Sequence, residues 1–161
     1  MIEAYRMLGA LLLVLAANLA PWAAGRVLRE RWAEPLDGGL TCWDGRRLLG
    51  DHKTWRGVLA GELACALAAR LFGYPFATGL EFAALGLTAD AASSFVKRRL
   101  QLAPGTDVAL LDQLPEALLP LTVLSGTLGI SLFEAVGIAV VFLCLNLLAA
   151  PIRAVRINHS R

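Results

Sequence analysis

Met7-Leu8-Gly9-Ala10-Leu11-Leu12-Leu13-Val14-Leu15-Ala16-Ala17-Asn18-Leu19-Ala20-Pro21-Trp22-Ala23-Ala24 runs for eighteen residues without a charge. A helix needs roughly 17–25 residues to cross the hydrocarbon of a bilayer, so this run is long enough to span. Ala23-Ala24-Gly25 resembles the small-residue cleavage site of a secretory signal, but the run lacks the strongly basic start of one. Arg26, Arg29 and Arg31 follow it instead. The run therefore reads as a spanning helix whose end meets a basic compartment.

Four more apolar runs follow: Val58 to Leu71, Phe76 to Val96, about Val108 to Leu128, and Ile130 to Ala150. The chain is 57% hydrophobic and 17% charged, with a mean hydropathy of +0.61. Soluble domains carry about 25% charged residues, so this one is poor in solvated surface. The net charge of +2 says little, but the placement of the charges says much. Arg26, Arg29, Arg31, Arg46, Arg47, Lys53 and Arg56 lie between the first two runs. Lys97, Arg98 and Arg99 follow the third, and Arg153, Arg156 and Arg161 follow the fifth. That is thirteen of the fifteen Lys and Arg. With five spans all three segments share one side, which the positive-inside rule makes cytoplasmic. The expected fold is therefore all-α: a polytopic membrane protein of five transmembrane helices. It is read as a single integral membrane domain, 1–161, multi-pass in the cell membrane. The N-terminus is outside; the C-terminus and a large structured loop between helices 1 and 2 are cytoplasmic.

Acidic residues inside such runs carry the next expectation. A carboxylate at the centre of a span costs roughly 3 kcal/mol, so it faces protein or water. Asp90, Ser94 and Lys97 fall at i, i+4 and i+7 and share one helical face. Asp90 either belongs to a site or pairs with a basic group and locks the bundle. Gly105-Thr106-Asp107 follows, and then Asp112 and Gln113, which read as further site groups or as caps of the fourth span. Pro115 and Pro120 are expected to kink or break that span. Gly57 and Gly61 read as a helix-packing pair. Glu62, Glu81 and Glu134 have no assigned role. Cys42, Cys65 and Cys144 have no metal-ligand spacing and read as reduced packing residues.

The loop block Asp44-Gly45-Arg46-Arg47-Leu48-Leu49-Gly50-Asp51-His52-Lys53-Thr54-Trp55-Arg56-Gly57 combines carboxylates, cations and glycines. Glycines allow close backbone approach to a phosphate, and Lys and Arg neutralise its charge. Aspartates bind Mg²⁺ best when they share it with substrate phosphates. The composition suits a nucleoside triphosphate at a membrane surface, or a basic loop on anionic lipid heads. His52 reads as a solvated turn residue more readily than as a catalyst.

This block resembles the cytoplasmic signature of the CDP-archaeol synthases, small five-helix membrane enzymes related to the phosphatidate cytidylyltransferases. So do Asp90 with Ser94-Phe95-Val96-Lys97-Arg98-Arg99, and Leu111-Asp112-Gln113. The likeness begins at Asn18-Leu19-Ala20-Pro21 and reaches the last span. The resemblance implies a reaction in which CTP and a lipid phosphate give a CDP-lipid and pyrophosphate with Mg²⁺. It implies Asp51, Lys53, Asp90, Lys97 and Asp112 as catalytic residues. Arg46, Arg47, Gly50, Thr54, Arg56, Ser94, Arg98 and Gln113 would bind substrate, and Asp90, Asp112 and Asp51 would hold the metal. The partners are membrane lipids and the two substrates, not nucleic acid; monomer and homodimer both remain open, as does the choice of isoprenoid or acyl lipid. A transporter with an ion pathway, or a lipid-binding scaffold, is the competing class.

Overall fold

The computed structural model describes residues 2–102 and 108–158, with side chains as far as 149. Gly105, Thr106 and Asp107, and the side chains of Arg153, Arg156 and Arg161, lie outside the described residues. Six helices and no named strand occur among the described residues: α1 (Ile2–Leu28), α2 (Trp55–Leu71), α3 (Phe76–Arg99), α4 (Ala109–Val123), α5 (Ser125–Leu128) and α6 (Leu132–Asn158). By length and composition, α1 and the Leu132–Ala149 part of α6 are apolar enough to cross a membrane.

The expected runs are found with shifted edges. The second helix starts three residues early, at Trp55, because Thr54 caps it: its Oγ1 accepts from the Gly57 N–H at 3.4 Å. Neither Pro115 nor Pro120 breaks α4. The fourth run instead breaks at Leu124 and resumes as α5, which ends on Gly129 at a left-handed φ of 66°. Glu134 lies in the first turn of α6, at the very start of its apolar stretch. Its Oε2 accepts from the Ser131 N–H at 2.7 Å and the Ser131 hydroxyl at 2.8 Å, while its own N–H donates back to Ser131 Oγ. This is a reciprocal N-terminal cap.

The helices pack in a closed circuit: α1 on α2, α2 on α3, α3 on α4, α4 on α6, and α6 back on α1. Small residues sit at the crossings. A Cβ on Gly79 would lie 2.4 Å from the Cys65 carbonyl oxygen, so only glycine allows α3 to approach α2 this closely. Gly57 and Gly61 do serve packing, since both receive Pro21 of α1. Cys65 is buried, with its thiol on the Leu13 carbonyl, whereas Cys144 faces outward and is no packing residue. The interior holds Ala10, Ala17, Ala66, Ala83, Ala117, Ala139 and Phe142, while Leu12, Leu63, Leu67, Leu119, Val140 and Leu145 are exposed outside. An apolar outer face around a small-residue interior is the packing of a membrane bundle.

At one end of the bundle Tyr74 donates to the Leu128 carbonyl at 3.1 Å and Tyr5 stacks near Phe72. At the other end sits the 29–54 loop, built on two isolated bridges, Pro35 with Thr54 and Thr41 with Arg47.

Candidate functional site

The loop is organised around Asp37, which is 5% exposed. Its carboxylate accepts from Arg47 Nη2 at 2.6 Å and from the backbone N–H groups of Leu49, Gly50 and Gly39 at 2.9–3.1 Å. Burial pushes this carboxyl up, but the Arg47 guanidinium and the three N–H donors outweigh it and hold it well below the usual carboxylate range. Gly50 turns with φ 105°, a conformation that favours glycine, and so brings its N–H onto Asp37. Arg47 also reaches Asp51 at 2.6 Å.

The loop is then clasped onto the helix ends. Arg46 donates to the Arg99 carbonyl at 3.1 Å, at the end of α3. Arg99 answers by donating to Asp44 and to the Arg47 carbonyl, each at 2.9 Å. Arg56 donates to the carbonyls of Arg29 and Arg31, just beyond α1. Cations near the C-terminal carbonyls of a helix are favoured by its dipole.

Within this frame two ion pairs converge on α3. Lys53, from the loop, pairs with Asp90. Lys97 pairs with Asp112 of α4 at 2.7 Å, and both side chains are largely buried. Ser93 joins them, donating to Asp112 Oδ1 at 3.0 Å; the Val108 N–H holds the other oxygen. Behind the pairs, Glu116 of α4 accepts from Asn18 Nδ2 of α1 at 3.0 Å and lies within electrostatic reach of Lys53, Asp90 and Asp112. Ser94 and Arg98 of α3 and Gln113 of α4 are buried. Gln113 Oε1 has no hydrogen-bond partner among the described residues.

Of the residues singled out in the sequence, the structure thus gathers Lys53, Asp90, Lys97 and Asp112, and buries Ser94, Arg98 and Gln113 on the same two helices. Arg46, Arg47, Gly50, Asp51, Thr54 and Arg56 are engaged in building the loop and tying it down. Asp51 keeps 71% of its side chain exposed beside Arg47. Asp37, Ser93, Arg99, Glu116 and Asn18 were not proposed as site residues. Glu116 stands four residues after Asp112, the spacing of one helical face, and that was its visible signal.

The cleft at Lys53 and Asp90 is lined also by Pro21, His52, Thr54 and Leu87 and holds about 80 Å³. Ligand pockets usually hold about 300–1,000 Å³, so this cleft by itself is smaller than most. On the other side of α3, an apolar groove of about 530 Å³ runs between α3 and α4 and includes Ser93. No group of three or more His, Cys, Asp or Glu able to hold a metal occurs among the described residues.

Fold and site together define an all-helical protein of membrane-bundle type with a charged face at one end. The chain belongs to the CDP-archaeol synthase family: the family described as CarS-like, CDP-archaeol synthase, matches residues 5–160. It is 46% identical over 103 residues to the CDP-archaeol synthase of Thermofilum pendens, covering 61% of this chain and 50% of that one. With the CDP-archaeol synthase of Hyperthermus butylicus it shares 41% over 112 residues, 65% of this chain and 63% of the relative. The matched part thus spans about half to under two thirds of these relatives. A solved structure of an intramembrane enzyme for archaeal membrane lipid biosynthesis superposes with a TM-score of 0.71 at 39% identity, covering 93% of this chain and 94% of that one.

Proposed function

We propose that this chain transfers CMP from CTP to a membrane lipid phosphate and releases pyrophosphate, with Mg²⁺. The observation that carries the reading is the convergence of Lys53–Asp90 and Lys97–Asp112 on one end of an apolar bundle. Two cations and two carboxylates on facing elements suit a reaction whose reactants are all phosphates.

In that reaction an oxygen of the lipid phosphate attacks the α-phosphorus of CTP in line. The new P–O bond forms as the bond from the α-phosphorus to the bridging oxygen breaks, and pyrophosphate leaves with that electron pair. Lys53 and Lys97 neutralise and align the phosphates, and Arg98 adds charge at the same end of α3. Positioning and charge neutralisation do the catalytic work, with no covalent intermediate on the protein. Gln113 presents an acceptor to the substrate.

Mg²⁺ takes one or two protein carboxylates and fills its remaining positions with water and substrate phosphates. Asp90 and Asp112 provide that number, so the donor set fits a metal that arrives with the triphosphate. When bound, the ion would be held by Asp90 and Asp112 and would supply charge neutralisation to the phosphates. Asp51, held by Arg47, stays outside this pair and serves the loop. The α3–α4 groove suits a hydrocarbon chain of the lipid, because Ser93 belongs both to the groove and to the Asp112 cluster.

The topology that fits has five spans: α1, α2, α3, α4 continued by α5, and α6. α4 and α5, with 15 and 4 residues, and Leu124 between them reach about 30 Å at about 1.5 Å per residue, a full hydrocarbon thickness. The loop and the C-terminus then face the cytoplasm and the N-terminus faces outward.

The test is purified protein with CTP, Mg²⁺ and a panel of isoprenoid and acyl lipid phosphates, read by pyrophosphate release. Release with at least one lipid, abolished by a chelator, is expected. Silence across the whole panel would overturn the reading in favour of transport or scaffolding.

A further inference from the structure

All four tryptophans of the chain stand at the loop end. Trp22 lies in the last two turns of α1 and Trp55 opens α2. Trp32 follows α1 directly, and its level is fixed because the neighbouring Arg31 carbonyl accepts from Arg56 in the first turn of α2. The level of Trp43 is fixed by Arg99, the last residue of α3, whose guanidinium sits 5.8 Å from the ring and bonds the adjacent Asp44 at 2.9 Å. Both loop rings are turned outward: Trp32 is 70% exposed and Trp43 87% exposed, with Leu40 at 64% between them in sequence.

In water this is an unfavourable surface, since taking a large apolar side chain out of water is favourable. The surroundings name what covers it. Arg26 lies 4.6 Å over the Trp22 ring and Arg99 stands beside Trp43, so cations accompany the rings. Rings and cations at the end of an apolar bundle match the head-group layer of a bilayer, where indoles sit and guanidinium groups meet phosphates. The outward leucines of α1 and α2 continue this surface toward the bundle centre.

We propose that the 29–54 loop is seated in the head-group layer of the leaflet, with Trp32, Trp43 and Leu40 inserted among the lipids. The partner is the phosphate-bearing lipid surface. If the transfer reaction proposed above is correct, on which this one consequence rests, the seat also holds Lys53 at the depth of lipid phosphates.

The test uses full-length versions each keeping one tryptophan, Trp22, Trp32 or Trp43, with the others changed to Phe, in phosphatidylcholine vesicles containing head-group nitroxide lipids. The expected result is blue-shifted emission from Trp32 and Trp43, quenching by the nitroxide lipid, and shielding from iodide, as for Trp22. Red-shifted, iodide-accessible emission from Trp32 and Trp43 with Trp22 still quenched by lipid would overturn the seat. Absence of lipid quenching at all three would overturn it together with membrane insertion. No substrate is used, so failure of the transfer reaction leaves this readout unaffected.

Discussion

Asn18 of α1 donates its amide to Glu116 of α4 at 3.0 Å, joining two helices that are 98 residues apart in sequence. Glu116 is 9% exposed, and its carboxyl lies close to the Lys53–Asp90 pair. Removing one partner of a buried hydrogen bond strands the other, at a cost of about 1–3 kcal/mol. Glu116→Ala and Asn18→Ala should each lower thermal stability in detergent by that order. The double variant should cost less than the two singles added together. Strictly additive losses would show that the contact carries no coupling.

Asp37 makes a different prediction, about pH. A carboxyl held low in the folded state stabilises that state above its unfolded pKa, about 3.9. This contribution is lost as pH falls through the lower folded value. The Asp37 carboxyl is held low by Arg47 and by the N–H groups of Leu49, Gly50 and Gly39, against the upward push of burial. Acidification from pH 7 to about pH 5 should therefore leave the loop closed, and its opening should begin only below about pH 4. Hydrogen exchange at the Leu49 and Gly50 amides, corrected for intrinsic rates, reads this directly. Asp37→Asn should raise exchange at both amides already at neutral pH.

Much of this arrangement was legible in the sequence, because apolar runs and charges leave a one-dimensional trace. The runs found the helices, and the charged positions Lys53, Asp90, Lys97 and Asp112 are indeed brought together. The pairing was not legible: Lys97 shares a helical face with Asp90, yet it pairs with Asp112, because the loop delivers Lys53 to Asp90. That Arg46 and Arg56 donate to backbone carbonyls was not legible either, because no residue letter displays a carbonyl. Asp37 stands before two glycines, and three of its four partners are backbone N–H groups, which the sequence does not display. Glu116 stayed hidden because Asn18, the partner that explains it, lies at the other end of the chain.

The site itself yields a sharper expectation for Asp90 and Asp112. Replacing either with Asn keeps the size of the side chain and removes its charge. Pyrophosphate release should fall by about 100-fold or more, the scale seen when one electrostatic contact to a reacting group is removed. The fold should survive, since an amide still accepts from Lys53, or from Lys97 and Ser93. Full activity in both variants, with unchanged Mg²⁺ dependence, would remove the metal assignment from these residues.

The α2–α3 crossing supports the site from a distance. Asp90 and Lys97 are aimed by α3, and α3 is set by how closely Gly79 approaches Cys65 and Ala66. A Cβ there meets the Cys65 carbonyl oxygen at 2.4 Å and the Ala66 Cα at 2.5 Å, both backbone atoms that no rotamer change can move. Gly79→Ala must therefore separate the helices, and overpacking of this kind costs about 1–3 kcal/mol. Gly137→Ala is the control, because a Cβ at Gly137 meets nothing within 4 Å. Thermal unfolding in detergent should show a lower midpoint for Gly79→Ala and no loss for Gly137→Ala. Equal stability of the two variants would mean that the close crossing is not what holds α3 in place.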